Sequence, residues 1–233
     1  MKTLQKFGGF AALYMAVAHL TGIVIFLVVL DYLSITDPAQ KVALNVDKQM
    51  IVFSTNLLMY VFFGFALIVL SLALYGRLHA NAPALMQVAT AVGIIWAGSL
   101  IASGMVANAG LAAITLLYSQ DPAQAALLWQ GIEAVANGLG NANGEILGGI
   151  WVLLVGLAAL RTGELPKFLN VIGLGVGALG IISLIPGLTD TLIGVFGLGQ
   201  IIWFVWLGIV LLRSSKSVNR QPLDLAVAGQ GVA

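Results

Sequence analysis

The sequence has no cysteine and only two histidines, and just 8% of its 233 residues are charged. The first absence excludes disulfides, thiolate metal sites, iron–sulfur clusters and cysteine nucleophiles. With His19 and His79 as the sole imidazoles, an all-protein zinc or copper site is not expected. A haem held by both is not expected either, because they fall at different depths in the spans assigned below. The scarcity of charge excludes a water-soluble fold. Soluble domains carry about 25% charged residues, whereas 60% of this chain is hydrophobic and its mean hydropathy is +1.04. A net charge of +1 supplies no basic field for nucleic acid. The solvent is therefore lipid, and neither a nucleic-acid partner nor a cofactor is expected.

What the chain does have is long apolar runs. A membrane helix needs about 20 apolar residues, and six segments qualify: 7–31, 51–75, 84–106, 141–160, 168–187 and 191–212. The first follows Lys2 and Lys6 as a signal peptide would. Its run is too long for a signal core, so it is read as a retained helix. Threading the six spans alternately puts Lys2, Lys6, Arg77, Arg161, Lys167, Arg213, Lys216 and Arg220 on one side. Only Lys41 and Lys48 fall on the other, with Asp31, Asp37, Asp47, Asp121 and Asp190. The positive-inside rule then places both termini in the cytoplasm. Residues 1–220 read as a single polytopic domain and 221–233 as a flexible cytoplasmic tail. Trp129, Trp203 and Trp206 fit interfacial or packing roles and call for no cofactor.

The tetrapeptide DPAQ occurs at 37–40 and again at 121–124. Asp at the N-cap, Pro at the first helical position and Gln at the third make it a helix start. After each copy, a long helix ends on a basic residue and restarts at a proline, in 72–85 and in 157–169. The two halves read either as related hairpins or as helix caps recurring by chance. A helix over 38–78 or over 122–161 would be about 60 Å long, twice the hydrocarbon thickness. The segment 83–118 is also too long. Helices two to four are thus expected to project from the outer side as a helical cap, packed or interfacial.

The stretch EAVANGLGNANGE, 133–145, interrupts the fourth run with Glu133, Asn137, Asn141, Asn143 and Glu145. Glu133, Asn137, Asn141 and Glu145 recur every four residues, so neighbours share a slowly turning helix face. Gly131, Gly138, Gly140 and Gly144 let the helix bend or another backbone approach. In one reading the asparagines are interhelical glue and Glu133 is solvated. In the other the stripe lines a pocket open to the outside, with Glu145 at its floor as a proton-exchanging group. The remaining intramembrane polar residues are His19, Asn56, Ser99, Ser103, Asn108 and Gln200. Glu145, Asn56, Gln200 and His19 are expected to converge on one outward-facing site.

Two apparent motifs carry nothing. GLGVGALG, 173–180, lies inside an apolar span with no preceding strand, and Gly173 and Gly177 read as a small-xxx-small helix contact. IASGM, 101–105, offers Ser103 as a nucleophile, but His19 would be its only base.

Over 148–180 the sequence runs GGIWVLLVGLAALRTGELPKFLNVIGLGVGALG. Its Gly149, Trp151, Gly156, Arg161, Gly163, Leu165 and Pro166 resemble a bacterial multi-span membrane family, domain of unknown function 4386. That resemblance implies a six- or seven-helix membrane protein and brings no activity or catalytic residue. The expectation is an all-α, integral membrane six-helix bundle of the bacterial cytoplasmic membrane, with helices 2–4 extended into an outer-side cap. It would bind or permeate a small molecule or ion through Glu145, Asn141, Asn137, Glu133, Asn56, Gln200 and His19. The alternative is an accessory or structural subunit of a larger membrane complex, or a lipid-binding protein. Catalysis is the third reading. Partners are membrane lipid and either a membrane protein or further copies of the chain.

Overall fold

A computed structural model describes residues 2–140 and 145–217. Asn141, Asn143 and the expected tail therefore lie outside the described residues, and so does any statement about their placement. The described chain is helical: α1 (Lys2–Ile23) with a π-helical continuation Val24–Val29, a 3-10 turn Tyr32–Ser34, α2 (Pro38–Asp47), α3 (Gln49–Asn56), a π-helical segment Leu57–Phe62, α4 (Phe63–Leu78), α5 (Pro83–Tyr118), α6 (Pro122–Leu139), α7 (Ile146–Thr162), α8 (Lys167–Ile182) and α9 (Thr189–Ser217).

Local chemistry explains where these helices begin and end. Asp37 caps α2 by accepting from the Ala39 amide at 3.0 Å, and Asp121 caps α6 by accepting from the Gln124 amide at 2.9 Å. Proline follows each cap at the first helical position, where its missing N–H costs nothing. Both DPAQ copies are thus helix starts, as read from the sequence. Arg77 and Arg161 occupy the last turns of α4 and α7, facing the negative end of the helix dipole. Gly163 stops α7 with φ +67, a left-handed conformation that side chains with a Cβ resist.

By length and composition, four helices can cross a membrane: Thr3–Val29, Gln49–Leu78, Pro83–Tyr118 and Thr191–Arg213. Ile146–Thr162 and Lys167–Ile182 are apolar but shorter. The expected unbroken helix over 122–161 is divided: α6 stops at Leu139 and α7 starts at Ile146. Gly138 and Gly140 lie at the break, and glycine costs about 1 kcal/mol in a helix interior. The column 38–78 is instead jointed at Lys48 and through the π segment. Only α5 runs the full length anticipated, about 54 Å for its 36 residues at 1.5 Å each.

Glycines set the close approaches. Gly149 and Gly177 face each other's backbone, so a Cβ on either would sit 2.8 Å from the other's carbonyl oxygen. Gly9 on α1 and Gly208 on α9 make the same kind of contact. Around the molecule α1 packs on α4, α4 on α5, α5 on α7, α7 on α8, α8 on α9, and α9 returns to α1. Successive members of this ring run in opposite directions, as pairs such as Gly8–Ala73 and Gly22–Met59 require for α1 against the α3–α4 column. The ring encloses an aromatic core of Phe63, Trp96, Trp151, Trp203 and Phe204. A second core lies where α2 and α6 pack on each other and on the far half of α5. It holds Leu30, Tyr32, Val42, Val52, Leu111, Ile114, Ala125, Ala126 and Trp129.

Candidate functional site

Polar groups gather where α6 ends and α7 begins. The last turn of a helix has carbonyls free to accept further donors, and α5 supplies donors to two, of which Ala136 O also accepts from the Gly140 amide at 2.8 Å. Ser103 Oγ donates to Ala136 O at 2.8 Å, and Ser99 Oγ donates to Leu139 O. Four residues apart, these serines form one rung each of the same face of α5. Ser103 is therefore a helix-end partner, which gives the IASGM motif a structural role.

Glu145 sits at the N-cap of α7. Its amide donates to Ser183 Oγ at 3.0 Å, and Ser183 in turn donates to Gly180 O at 2.6 Å. This ties the start of α7 to the end of α8. The carboxylate is not used in the cap: its Oε2 is buried and has no hydrogen-bond partner among the described residues. Tyr60 lies within electrostatic reach of Glu145, and its ring also flanks Gly140. No group of three or more His, Asp or Glu side chains gathers among the described residues.

The other expected site residues fall in separate surroundings. Asn56 is buried and donates to Asn108 Oδ1 at 2.9 Å, while Asn108 donates to Phe53 O at 3.2 Å. This pair bolts α3 to α5. His19 faces α9 at Gly197. His19 Nε2 comes within 3.2 Å of where a Cβ on Gly197 would stand, and Gln200 follows one turn later on α9. His19 Nδ1 and Gln200 Nε2 are both buried without a partner among the described residues. His19 also meets Phe63 edge-on at 6.2 Å.

Of the stripe from 133 to 145, Glu133 and Asn137 lie on α6, Glu145 lies at the start of α7, and Asn141 is outside the described residues. Asn137 is exposed. Glu133 is half-buried and has partners outside the stripe. It pairs with Lys41 at 3.3 Å and accepts from the Tyr32 hydroxyl at 2.9 Å. The same hydroxyl accepts from Trp129 Nε1 at 3.2 Å and from Asn45 Nδ2 at 3.3 Å. Lys41 also lies over the Tyr32 ring at 5.1 Å. Burial, the largest influence, holds the Tyr32 phenol well above its ordinary pKa, so it stays a donor to Glu133. Sequence reasoning missed Tyr32, Lys41, Asn45 and Trp129 as one cluster. Lys41 and Glu133 are 92 residues apart, and only the shared DPAQ starts hinted that α2 and α6 are counterparts.

A family model described as Domain of unknown function (DUF4386) matches residues 10–211. The match covers most of the chain, and the chain belongs to that family. No curated protein and no solved structure matches it.

Proposed function

We propose that this family member is an integral protein of the bacterial cytoplasmic membrane, crossing it six times with both termini cytoplasmic. On this reading it binds or passes a small molecule or ion at the Glu145 junction, beneath a cap built from α2, α6 and the far half of α5. The observation that carries the reading is the buried Glu145 carboxylate oxygen with no partner among the described residues. A carboxylate in such surroundings is costly unless protonated or matched. Ionisable groups kept inside membrane spans mark ion or substrate paths. The short helices support it too. At 17 and 16 residues, α7 and α8 reach only about 25 Å, less than the hydrocarbon thickness. Their joined ends, Glu145 and Ser183, would then lie recessed below the taller α5. The matching occupants are a proton, a small cation or a ligand that donates hydrogen bonds.

The test is proton flux into vesicles holding the full-length protein, read with an enclosed pH-sensitive dye, alongside the intact mass of the gently extracted protein. Wild type should show flux or carry a discrete small molecule, and Glu145→Gln should abolish whichever is seen while the protein still folds. Neither flux nor bound molecule in wild type, or no change in Glu145→Gln, would sink the reading. The absence of native cysteine makes the topology testable as well. Thr36→Cys should react with a membrane-impermeant maleimide in intact cells, and Ala80→Cys only after the cells are opened.

A second reading, an accessory subunit, has its own observation. Leu33 and Leu127 lie outside the candidate spans yet are 73% and 70% exposed. Exposed apolar side chains of that kind ask for lipid or a partner chain. Reproducible partner chains in the intact mass would favour it.

A further inference from the structure

An apolar groove runs between α1 and α4. Leu4, Phe7, Phe10 and Tyr14 line one wall and Ala66 and Val69 the other, around a volume of about 410 Å³. Its walls are open to the surroundings, with Phe7 58% and Phe10 52% exposed. The one polar group on them is already used, because Tyr14 donates its hydroxyl to Leu58 O at 2.9 Å. An occupant therefore meets hydrocarbon and aromatic rings only. From Leu4 to Tyr14 the groove follows ten residues of α1, about 15 Å, or one leaflet of a 30 Å hydrocarbon layer.

The charged end of this groove is defined. Lys6 precedes Phe10 by four residues, which places the two on one face of α1. It is exposed, and none of the described ion pairs involves it. No acidic residue lies in the first turn of α1. A cation with no ion pair among the described residues, beside the Leu4 end of an apolar groove of leaflet depth, matches an amphiphile with an anionic head and a hydrocarbon tail.

We propose that this groove seats an acyl chain of an anionic phospholipid, with its phosphate at Lys6. The proposal rests on the membrane reading but shares no residue with the Glu145 junction, so lipid retention and flux can fail separately.

The test is native mass spectrometry of the full-length protein in mild detergent, titrated with phosphatidylglycerol or phosphatidylcholine of the same chains. One phosphatidylglycerol should be retained about fivefold more tightly than phosphatidylcholine, the effect of one cation near an anionic headgroup. Lys6→Gln should bring the two lipids level without removing the adduct. Ala66→Phe and, independently, Val69→Phe should fill the groove and remove it, with helix content and thermal unfolding showing that each folds. Equal retention of the two lipids by wild type would overturn the proposal, and so would an adduct that survives both groove-filling changes. A wild-type dimer that these changes convert to monomer would assign the groove to a second copy instead.

Discussion

The two cores of this protein treat polar groups differently, although Asn45 Oδ1 in the second core is also buried with no partner among the described residues. In the second core the Tyr32 hydroxyl gathers Glu133, Asn45 and Trp129 on one oxygen, and Lys41 closes the arrangement from above the ring. In the core of the ring, Ser71 Oγ, Trp96 Nε1, Trp151 Nε1 and Gln200 Nε2 are buried with no partner among the described residues. Trp151 is held by rings instead, with Trp96, Trp203 and Phe204 at 5.9, 5.8 and 6.4 Å. The difference separates two ways of joining helices. Helices α2 and α6 are fastened by specific bonds that converge on Tyr32 and Glu133. The ring helices have apolar surfaces and glycine notches, so they are fastened by shape.

That contrast predicts an order of effects. The largest belongs to the ring. Trp151→Ala should cost about 3–5 kcal/mol, read as a fall in the thermal unfolding temperature of the detergent-solubilised protein. A cost near zero would mean that the aromatic cluster is not what holds the ring.

Next comes the polar hub. Tyr32→Phe removes the acceptor used by Trp129 and Asn45 and the donor used by Glu133, at roughly 1–3 kcal/mol. The loss should be local: faster amide hydrogen exchange in α2 and α6, with α7–α9 unchanged. Exchange rising equally everywhere would erase the distinction between the cores. The same residue predicts a pH response. Because burial raises the Tyr32 phenol above its ordinary value of 10.0, the folded form holds its proton longer than the unfolded one. Its contribution is complete below pH 10 and declines as pH climbs beyond it. Wild type should therefore show an alkaline loosening of α6 that Tyr32→Phe lacks.

The smallest effects sharpen the comparison inside the membrane-like region. Ser103 is paired, and Ser71 has no partner among the described residues. Ser103→Ala should cost about 1 kcal/mol, and Ser71→Ala close to nothing or less. A clear loss in Ser71→Ala would show that its buried hydroxyl contributes to packing inside the ring.

How much of this was legible beforehand varies by residue. Asp37 and Asp121 were read correctly as helix caps, because capping depends on a few adjacent residues. The partners of Glu133 were not legible, because they come from α2 and from the turn before it. The pairing of Asn56 with Asn108 across 52 residues was equally hidden, although both had been noticed as polar residues in apolar runs. Glu145 was singled out for its charge alone. Its tie to Ser183 required knowing that α7 and α8 start and stop at one level.

By itself the sequence determined the solvent, the helical class, the family and most helix ends. Each of these follows from composition or from contacts within one or two turns. Only the tertiary structure decided which faces meet. In water a helix declares its inner face by an apolar stripe. In lipid the outer face is apolar too, so that stripe disappears, and helix association passes to glycine notches and interhelical bonds whose partners are distant in the chain.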